Sequence, residues 1–352
     1  MLSVSPHAGV QYFLPEQQVE LVPLAGGNIN NTWLCTSEDG CRRILQRLRR
    51  SIFPEPELIM ANLEALVAQR TPESPLLPTP YQGRDGRTFF LDDQGDCWRM
   101  LTYLEGTTSL TRIENEYQAQ SLGEILARFH HHTASLDPAR FHDPLPGFHH
   151  TPSYLGRYDR VLRQHPPLTD NELPLVACIE ELRDSAFLLE ARLAELTPLV
   201  THGDPKVANF LFDERGTAAV SLIDLDTVRP GIILHDIGDA LRSCCNPAGE
   251  DSDHASFSVK LLLGFLRGYA RKAGNLLGRA DRRHVVDAAM VISLELGLRF
   301  FTDHLTGNRY FRAEYPEQNL ERAHVQLMTA VGLYRQRREL NELALEELDG
   351  NQ

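Results

Sequence analysis

The chain has 352 residues, enough for two domains or lobes around a sizeable core. Hydrophobic residues make up 42% and charged residues 24%, an ordinary globular composition. With 35 Lys and Arg against 48 Asp and Glu, the net charge is −13, which argues against nucleic acid or an anionic membrane as a partner.

The N-terminal residues 1–18 lack a basic segment followed by an apolar run, so no signal peptide is expected. No stretch approaches the roughly 18 apolar residues that span a bilayer. The six cysteines, at 35, 41, 97, 178, 244 and 245, form no Cys-x-x-Cys pair and suggest a reducing cytoplasm. Residues 19–25 predict a strand, and Gly26-Gly27-Asn28 a turn. Residues 32–37 and 42–48 predict two more strands joined by a hairpin at Glu38-Asp39-Gly40. Pro54 and Pro56 open a helix whose apolar positions Leu58, Ile59, Leu63, Leu66 and Val67 keep helical spacing. Four prolines between 72 and 80 exclude helix there, and strands follow at 87–92 and 97–104. Helical patterns then cover 114–135, 174–196, 255–273, 282–305 and 318–342, interrupted by a β-rich patch at 209–226. The class is α+β: a small sheet-based lobe over residues 1–104 and a larger, mostly helical lobe over 105–352.

Residues 200–226 carry the chemistry. They contain His202-x-Asp204-x-Lys206-x-x-Asn209, a strand–turn–strand, then Asp224 and Asp226. The Asp-to-Asn spacing is that of the protein-kinase catalytic loop. Phosphoryl transfer needs a carboxylate for the attacking hydroxyl, oxygen ligands for Mg²⁺ and a cation near the γ-phosphate. Asp204 suits the base, Lys206 the cation, and Asn209 with Asp224 the metal, which favours oxygen donors. Pro205 keeps Asp204 out of a helix. A helix start carrying Asp and Asn as caps is the plainer reading of any one of these residues, but not of the ordered set. Asp226, two residues on and on the same face of a strand, is placed to touch metal or acceptor.

This segment resembles the catalytic core of the aminoglycoside phosphotransferase and choline kinase family, small-molecule kinases with a bilobal protein-kinase-like fold. Further stretches are similar to N-acetylhexosamine 1-kinases. They are Gly27-Asn28-Ile29-Asn30-Asn31-Thr32, Ile44-Leu45-Gln46-Arg47, Phe53-Pro54 with Pro56-Glu57, and Ile223-Asp224-Leu225-Asp226-Thr227-Val228 with Pro230-Gly231. Asp236-x-Gly238-Asp239-Ala240, Gly297 through Leu305, and Tyr310-Phe311 complete the likeness, which covers nearly the whole chain. Only about a dozen residues separate Asp224 from Asp236, too few for a peptide platform, and Gly203 stands where regulated protein kinases carry Arg.

The resemblance implies ATP and Mg²⁺ as cofactors and a small acceptor, an amino sugar phosphorylated at its anomeric hydroxyl, with no obligate protein partner. It implies phosphate contacts from Gly27, Asn28 and Asn30, although this stretch is no P-loop. It implies a cation on the third strand; the family's lysine is absent there and Arg47 takes the matching place, with Glu64 (or Glu57) as its carboxylate partner. Adenine is expected against the backbone from Thr102 to Leu104. Sugar contacts are expected from Asp204, Arg299 and Tyr310, although Arg299 also has Glu295 one helix turn away. An amino alcohol, an aminoglycoside or another sugar remains an alternative acceptor. A nucleotide-binding pseudokinase scaffold is a further reading, against which the intact Asp204, Asn209 and Asp224 speak. Asp236 and Asp239 read as helix-start caps, His130–His132 as a helix end, Cys244-Cys245 as packing, and the C-terminal residues 335–350 as a solvated helix end.

Overall fold

The computed structural model describes residues 5–24, 30–249 and 254–350. The expected N-terminal hairpins form: β1 (Val19–Leu24), β2 (Asn31–Ser37) and β3 (Arg42–Leu48) pair antiparallel. Gly40, at φ +80°, makes the β2–β3 turn, a conformation that costs glycine little. β4 (Phe89–Leu91) and β5 (Cys97–Thr102) complete a five-stranded sheet in the order β1-β2-β3-β5-β4. A short helix that sequence patterning missed, α1 (His7–Phe13), covers the outer face of this sheet. Its Val10, Tyr12 and Phe13 pack with Leu45, Trp98 and Met100. α2 (Pro56–Ala68) covers the opposite face.

After β6 (Thr107–Ser109) the chain enters the helical lobe with α3 (Glu116–Ala134), capped by Asn115. α4 (Thr151–Gln164) was not expected: it begins Thr-Pro, contains Gly156 and carries few apolar residues. The helix expected over 174–196 is shorter, α5 (Leu173–Leu182), and continues as two 3₁₀ segments, Arg183–Phe187 and Glu190–Arg192. β7 (Pro198–Thr201) pairs antiparallel with β10 (Arg229–Ile232). β8 (Phe210–Asp213) and β9 (Ala219–Leu222) join β6 in a three-stranded sheet, confirming the β-rich patch. α6 (Ile233–Cys244), the helix whose start the sequence marked at Asp236 and Asp239, begins one turn earlier and is buried along its whole length, including Cys244. α7 (Val259–Ala273), α8 (Arg279–Arg283), α9 (Val285–Leu305) and α10 (Gln318–Gly350) close the lobe. The end of α10 is not a solvated tail, since Leu340, Ala344 and Leu348 are buried. Among the described residues no helix is long and apolar enough to cross a membrane. The fold is thus the small antiparallel-sheet lobe and larger helical lobe of a protein-kinase-like architecture.

α3 and α7 touch backbone to backbone. A Cβ built on Gly268 would lie 1.9 Å from the Gln120 carbonyl oxygen, so only glycine fits. Gly268→Ala is expected to cost about 2–3 kcal/mol through overpacking. Urea unfolding checks this, and an unchanged midpoint would mean that the two helices are not in such contact.

Candidate active site

The loop from His202 to Asn209 leaves β7 and returns into β8, and nearly every backbone group in its first half has a named partner. The Asp236 carboxylate, fully buried on the first turn of α6, accepts the N–H of His202 at 2.7 Å and that of Gly203 at 2.8 Å. It also faces His130 Nε2 at 3.0 Å, and His130 Nδ1 meets the Tyr269 hydroxyl at 2.6 Å. Thr227 donates to the His202 carbonyl, His149 to the Gly203 carbonyl, and Val207 N–H to Ser243. Asp236 is therefore a brace for the loop rather than a helix cap, and His130 is a buried strut. Gly203 is required: its φ is +88°, and a Cβ there would stand 2.7 Å from the Thr227 carbonyl.

His202 is neutral in one tautomer. Its Nε2 donates to the Ile223 carbonyl at 3.0 Å and its Nδ1 accepts the Asp204 N–H at 3.3 Å. Burial lowers its pKa, which favours this form. Beyond it, Asp204 keeps 28% of its side chain exposed, so one edge faces the cleft. Burial alone would raise its pKa, but Lys206 Nζ at 2.7 Å from Oδ2 holds it below the usual carboxylate range. Asn209 Nδ2 donates to the Asp204 carbonyl at 2.7 Å and to Oδ2 at 3.1 Å, turning the amide oxygen the other way. A charged carboxylate oriented by an ammonium and an amide is able to receive a proton from a hydroxyl.

Asp224 has a left-handed backbone, φ +61°, and Asp226 sits in the 3₁₀ turn Leu225–Thr227, so strand alternation does not relate them. The Asp224 side chain is exposed to solvent. Partial loss of water, with Asp226 and Asp204 nearby, raises its pKa, against the opposing charges of Lys206 and Arg99. Among the described residues no three His, Cys, Asp or Glu side chains form a ready metal cage. Asp224 and the Asn209 amide offer a carboxylate and a neutral oxygen, the sparse set with which Mg²⁺ is held when phosphates complete its shell. The excess negative charge around Asp224 is what such a cation would relieve.

Asp226 is committed to the small lobe instead of to an acceptor. Arg99 Nη2 lies 2.5 Å from its Oδ1, and Asn30 Nδ2 donates to its Oδ2 at 2.6 Å. Gln46 Oε1 receives Arg99 Nε at 2.9 Å and Nη2 at 2.8 Å. Gln46 thus belongs to the face of β3 that looks at the cleft, with Ile44 and Leu48. Arg47 points to the other face with Leu45, and it pairs with Asp96 at 3.0 Å. The expected Arg47–Glu64 pair is not formed; Glu64 accepts the Thr88 hydroxyl. α2 docks on the large lobe through buried Asn62, whose amide donates to the carbonyls of His142 at 2.9 Å and Val228 at 2.7 Å. Sequence reasoning missed Arg99 and Asn62. The alternation of β5, with Trp98 and Met100 on the outer face, was the available signal for Arg99. In the connecting segment, Thr102 N–H is spent on the Thr79 carbonyl and the Leu104 carbonyl accepts the Thr107 hydroxyl. Gly27 and Asn28 lie outside the described residues.

A cavity of about 390 Å³ opens between α4, α9 and the segment after α9, and both Arg299 and Tyr310 line it. The Arg299 guanidinium sits 5.0 Å from the Phe148 ring centre, 5.4 Å from Tyr154, 5.8 Å from Tyr310 and 5.3 Å from Phe311. Glu295 is 4.0 Å from it and is engaged more closely by His149 at 3.2 Å and Thr151 at 3.0 Å. Each member of the buried His149–Glu295 pair favours the charged form of the other against the cost of burial. Since His149 also holds Gly203, Arg299 on the cavity wall is linked to the Asp204 loop through Glu295 and His149.

Arg99→Met would leave Asp226 buried without its counter-charge, an expected loss of about 3–5 kcal/mol with a raised KM for ATP. Arg47→Ala is expected to cost about 1 kcal/mol or less and to leave the ATP KM within about twofold. Denaturant unfolding and steady-state kinetics on both variants check this. The opposite ranking in KM would return the phosphate role to Arg47.

A model of the phosphotransferase enzyme family, APH, matches residues 20–282, well over half of the chain. Among solved structures the chain is similar to a microcompartment-associated aminopropanol kinase, with a TM-score of 0.68 and 20% identity over 97% of this chain and 99% of that one. It is similar to a choline/ethanolamine kinase family protein from Mesorhizobium loti, TM-score 0.58 and 17% identity over 97% and 98%. A spectinomycin phosphotransferase in complex with ADP and spectinomycin follows at 0.57 and 11% over 94% and 93%. At these identities the structural likenesses speak to the fold, whereas the family match rests on the sequence itself. The chain belongs to the APH phosphotransferase enzyme family and is an ATP-dependent kinase of small-molecule hydroxyl groups.

Proposed function

We propose that the acceptor is an N-acetylhexosamine phosphorylated at its anomeric hydroxyl, bound in the cavity beside Asp204. The observation that carries this is the link from Arg299, on the cavity wall with Tyr310, through Glu295 and His149 to the Gly203 carbonyl of the Asp204 loop. A fork of guanidinium donors and a phenol suit the ring and acetyl oxygens of a neutral sugar. The cavity's one carboxylate, Asp303, accepts the backbone N–H groups of Arg309, Tyr310 and Phe311, so it is poorly placed to receive the ammonium of an amino alcohol.

In this reading the acceptor hydroxyl lies against the open edge of Asp204, which orients it. As its oxygen bonds to the γ-phosphorus and the bond from phosphorus to the β-phosphate oxygen breaks, Asp204 takes the proton and ADP departs. Lys206 holds Asp204 ionised until then, and Asn209 fixes its orientation. Asp224 and the Asn209 amide oxygen would hold Mg²⁺, which supplies charge neutralisation on the phosphates. Asn30, with Gly27 and Asn28 before it, would cover the phosphates, and the Tyr103–Leu104 backbone would meet adenine. Arg99 would bind the small lobe to this site through Asp226.

Asp204→Asn is expected to lower turnover about 10²–10⁴-fold with little change in nucleotide affinity. Near-normal turnover would remove Asp204 from the chemistry. With MgATP and N-acetylglucosamine or N-acetylgalactosamine, phosphorus NMR should show a product phosphate coupled to the anomeric proton. A 6-phosphate product, or no product from either sugar, sinks the acceptor assignment.

A further inference from the structure

The acceptor cavity is basic in an acidic protein. Arg157, Arg160 and Arg299 line it, against the single carboxylate of Asp303. Asp303 already serves three backbone N–H groups and the Asn319 amide at 3.2 Å. Asp159, between the two outer arginines in sequence, is taken by Arg183 through two hydrogen bonds, at 3.0 and 2.9 Å. Neither Arg157 nor Arg160 has an ion-pair partner among the described residues. They stand three residues apart on α4, and so on one side of it.

The position of these two charges along the cavity matters. Thr151, the first residue of α4, bonds Glu295, which pairs with His149 and through it with Gly203, so the start of α4 is the part nearest the Asp204 loop in this chain of contacts. Arg157 and Arg160 are six and nine residues further on, about 9 and 14 Å of helical rise from Thr151, on the exposed part of the cavity wall. Arg299 fills the space among four aromatic rings that would otherwise attract an ammonium group. A cationic acceptor therefore meets like charge both in the aromatic box and at the outer end. Two unpaired guanidinium groups present the forked donors that suit carboxylate or phosphate oxygens.

We infer that the acceptor carries an anionic substituent, held by Arg157 and Arg160 at the outer end of the cavity while its hydroxyl faces Asp204. This rests on the reading of Asp204 and the cavity given above. It narrows that reading to an acidic acceptor: for a hexosamine phosphorylated at carbon 1, the anionic group would sit across the ring, as at carbon 6.

The test uses matched acceptor pairs with the full-length enzyme and MgATP: N-acetylglucosamine and its 6-phosphate, ethanolamine and serine, glycerol and glycerate. On whichever scaffold is turned over, the member bearing the added carboxylate or phosphate (the anionic member) should show at least about tenfold higher kcat/KM. In Arg157→Glu/Arg160→Glu that ratio should fall to about one or invert, while Arg157→Lys/Arg160→Lys keeps most of it. The lysine variant retains the test if the charge reversal fails to fold, since its bias should weaken as ionic strength rises. Equal use of both members, preference for the neutral or cationic one, or a bias indifferent to charge reversal overturns the inference. So does an absence of turnover on every scaffold together with no calorimetric binding of the anionic members. If the sugar pair is inert while serine or glycerate shows the bias, the hexosamine assignment falls and the anionic acceptor stands. If both sugars are used without bias, the hexosamine assignment stands and the anionic substituent falls.

Discussion

The carboxylate of Asp236 organises the loop that carries Asp204 from beneath. A carboxylate with no exposed surface is costly unless donors surround it, and here they are His130 and the N–H groups of His202 and Gly203. Hydrogen bonds to a charged group are worth about 1.5–3 kcal/mol each, roughly twice those between neutral groups. The arrangement fixes backbone rather than side chain, two residues before Asp204, so Asp204 is oriented without being touched. Because β7 and α6 are both buried and the His130 strut comes from α3, three elements of the large lobe meet at this one charge.

A second buried charge does the corresponding work between the lobes. Asp226 leaves the same lobe two residues after Asp224 and is held by Arg99 and Asn30 of the small sheet. Gln46 neighbours Arg99 and steadies the guanidinium that reaches across. The turn that offers Asp224 to the cleft is thereby tied to the sheet that covers it. Asn62 adds a neutral link on the α2 side, satisfying both ends of its amide with backbone of the large lobe. The contact between lobes is thus built from a few directional polar bonds with buried partners, in addition to apolar packing.

Much of this was legible in the chain itself, and the lapses have physical reasons. The β1–β3 hairpins and the Asp204–Asn209 loop carry short-range signals, alternation, turn glycines and fixed spacing, that tertiary context did not override. Arg47 stands out by its place on β3, but a strand turns successive residues to opposite faces, so a one-residue difference from Gln46 puts it against Asp96. Its cleft-side counterpart, Arg99, comes from a neighbouring strand, and no linear pattern records that pairing. α6 keeps apolar residues at helical spacing, Ile233, Leu234, Ile237, Ala240, Leu241 and Cys244, but its polar face is buried as well, so Asp236 and Asp239 read as helix-start caps when Asp236 in fact braces the loop. His130 reads as part of its helix end because its partners, Asp236 and Tyr269, are over a hundred residues away.

The same geometry separates chemistry from selectivity. The loop that carries Asp204 is held by backbone bonds to Asp236, Thr227 and Ser243, which constrain its path whatever acceptor is present. The cavity around Arg299 is lined chiefly by side chains on α4, α9 and the segment beyond, and Arg299 is linked to that loop through Glu295 and His149. His149 offsets its burial with a charged partner, Glu295, and its left-handed backbone, φ +59°, places the ring between the two regions. Residues such as Arg157 and Arg160 sit on an exposed helix face remote from that joint, so exchanging them changes the charge offered to an acceptor without redirecting the loop. A rigid phosphoryl-transfer loop is compatible with acceptors of opposite charge only if the groups that read that charge lie outside it.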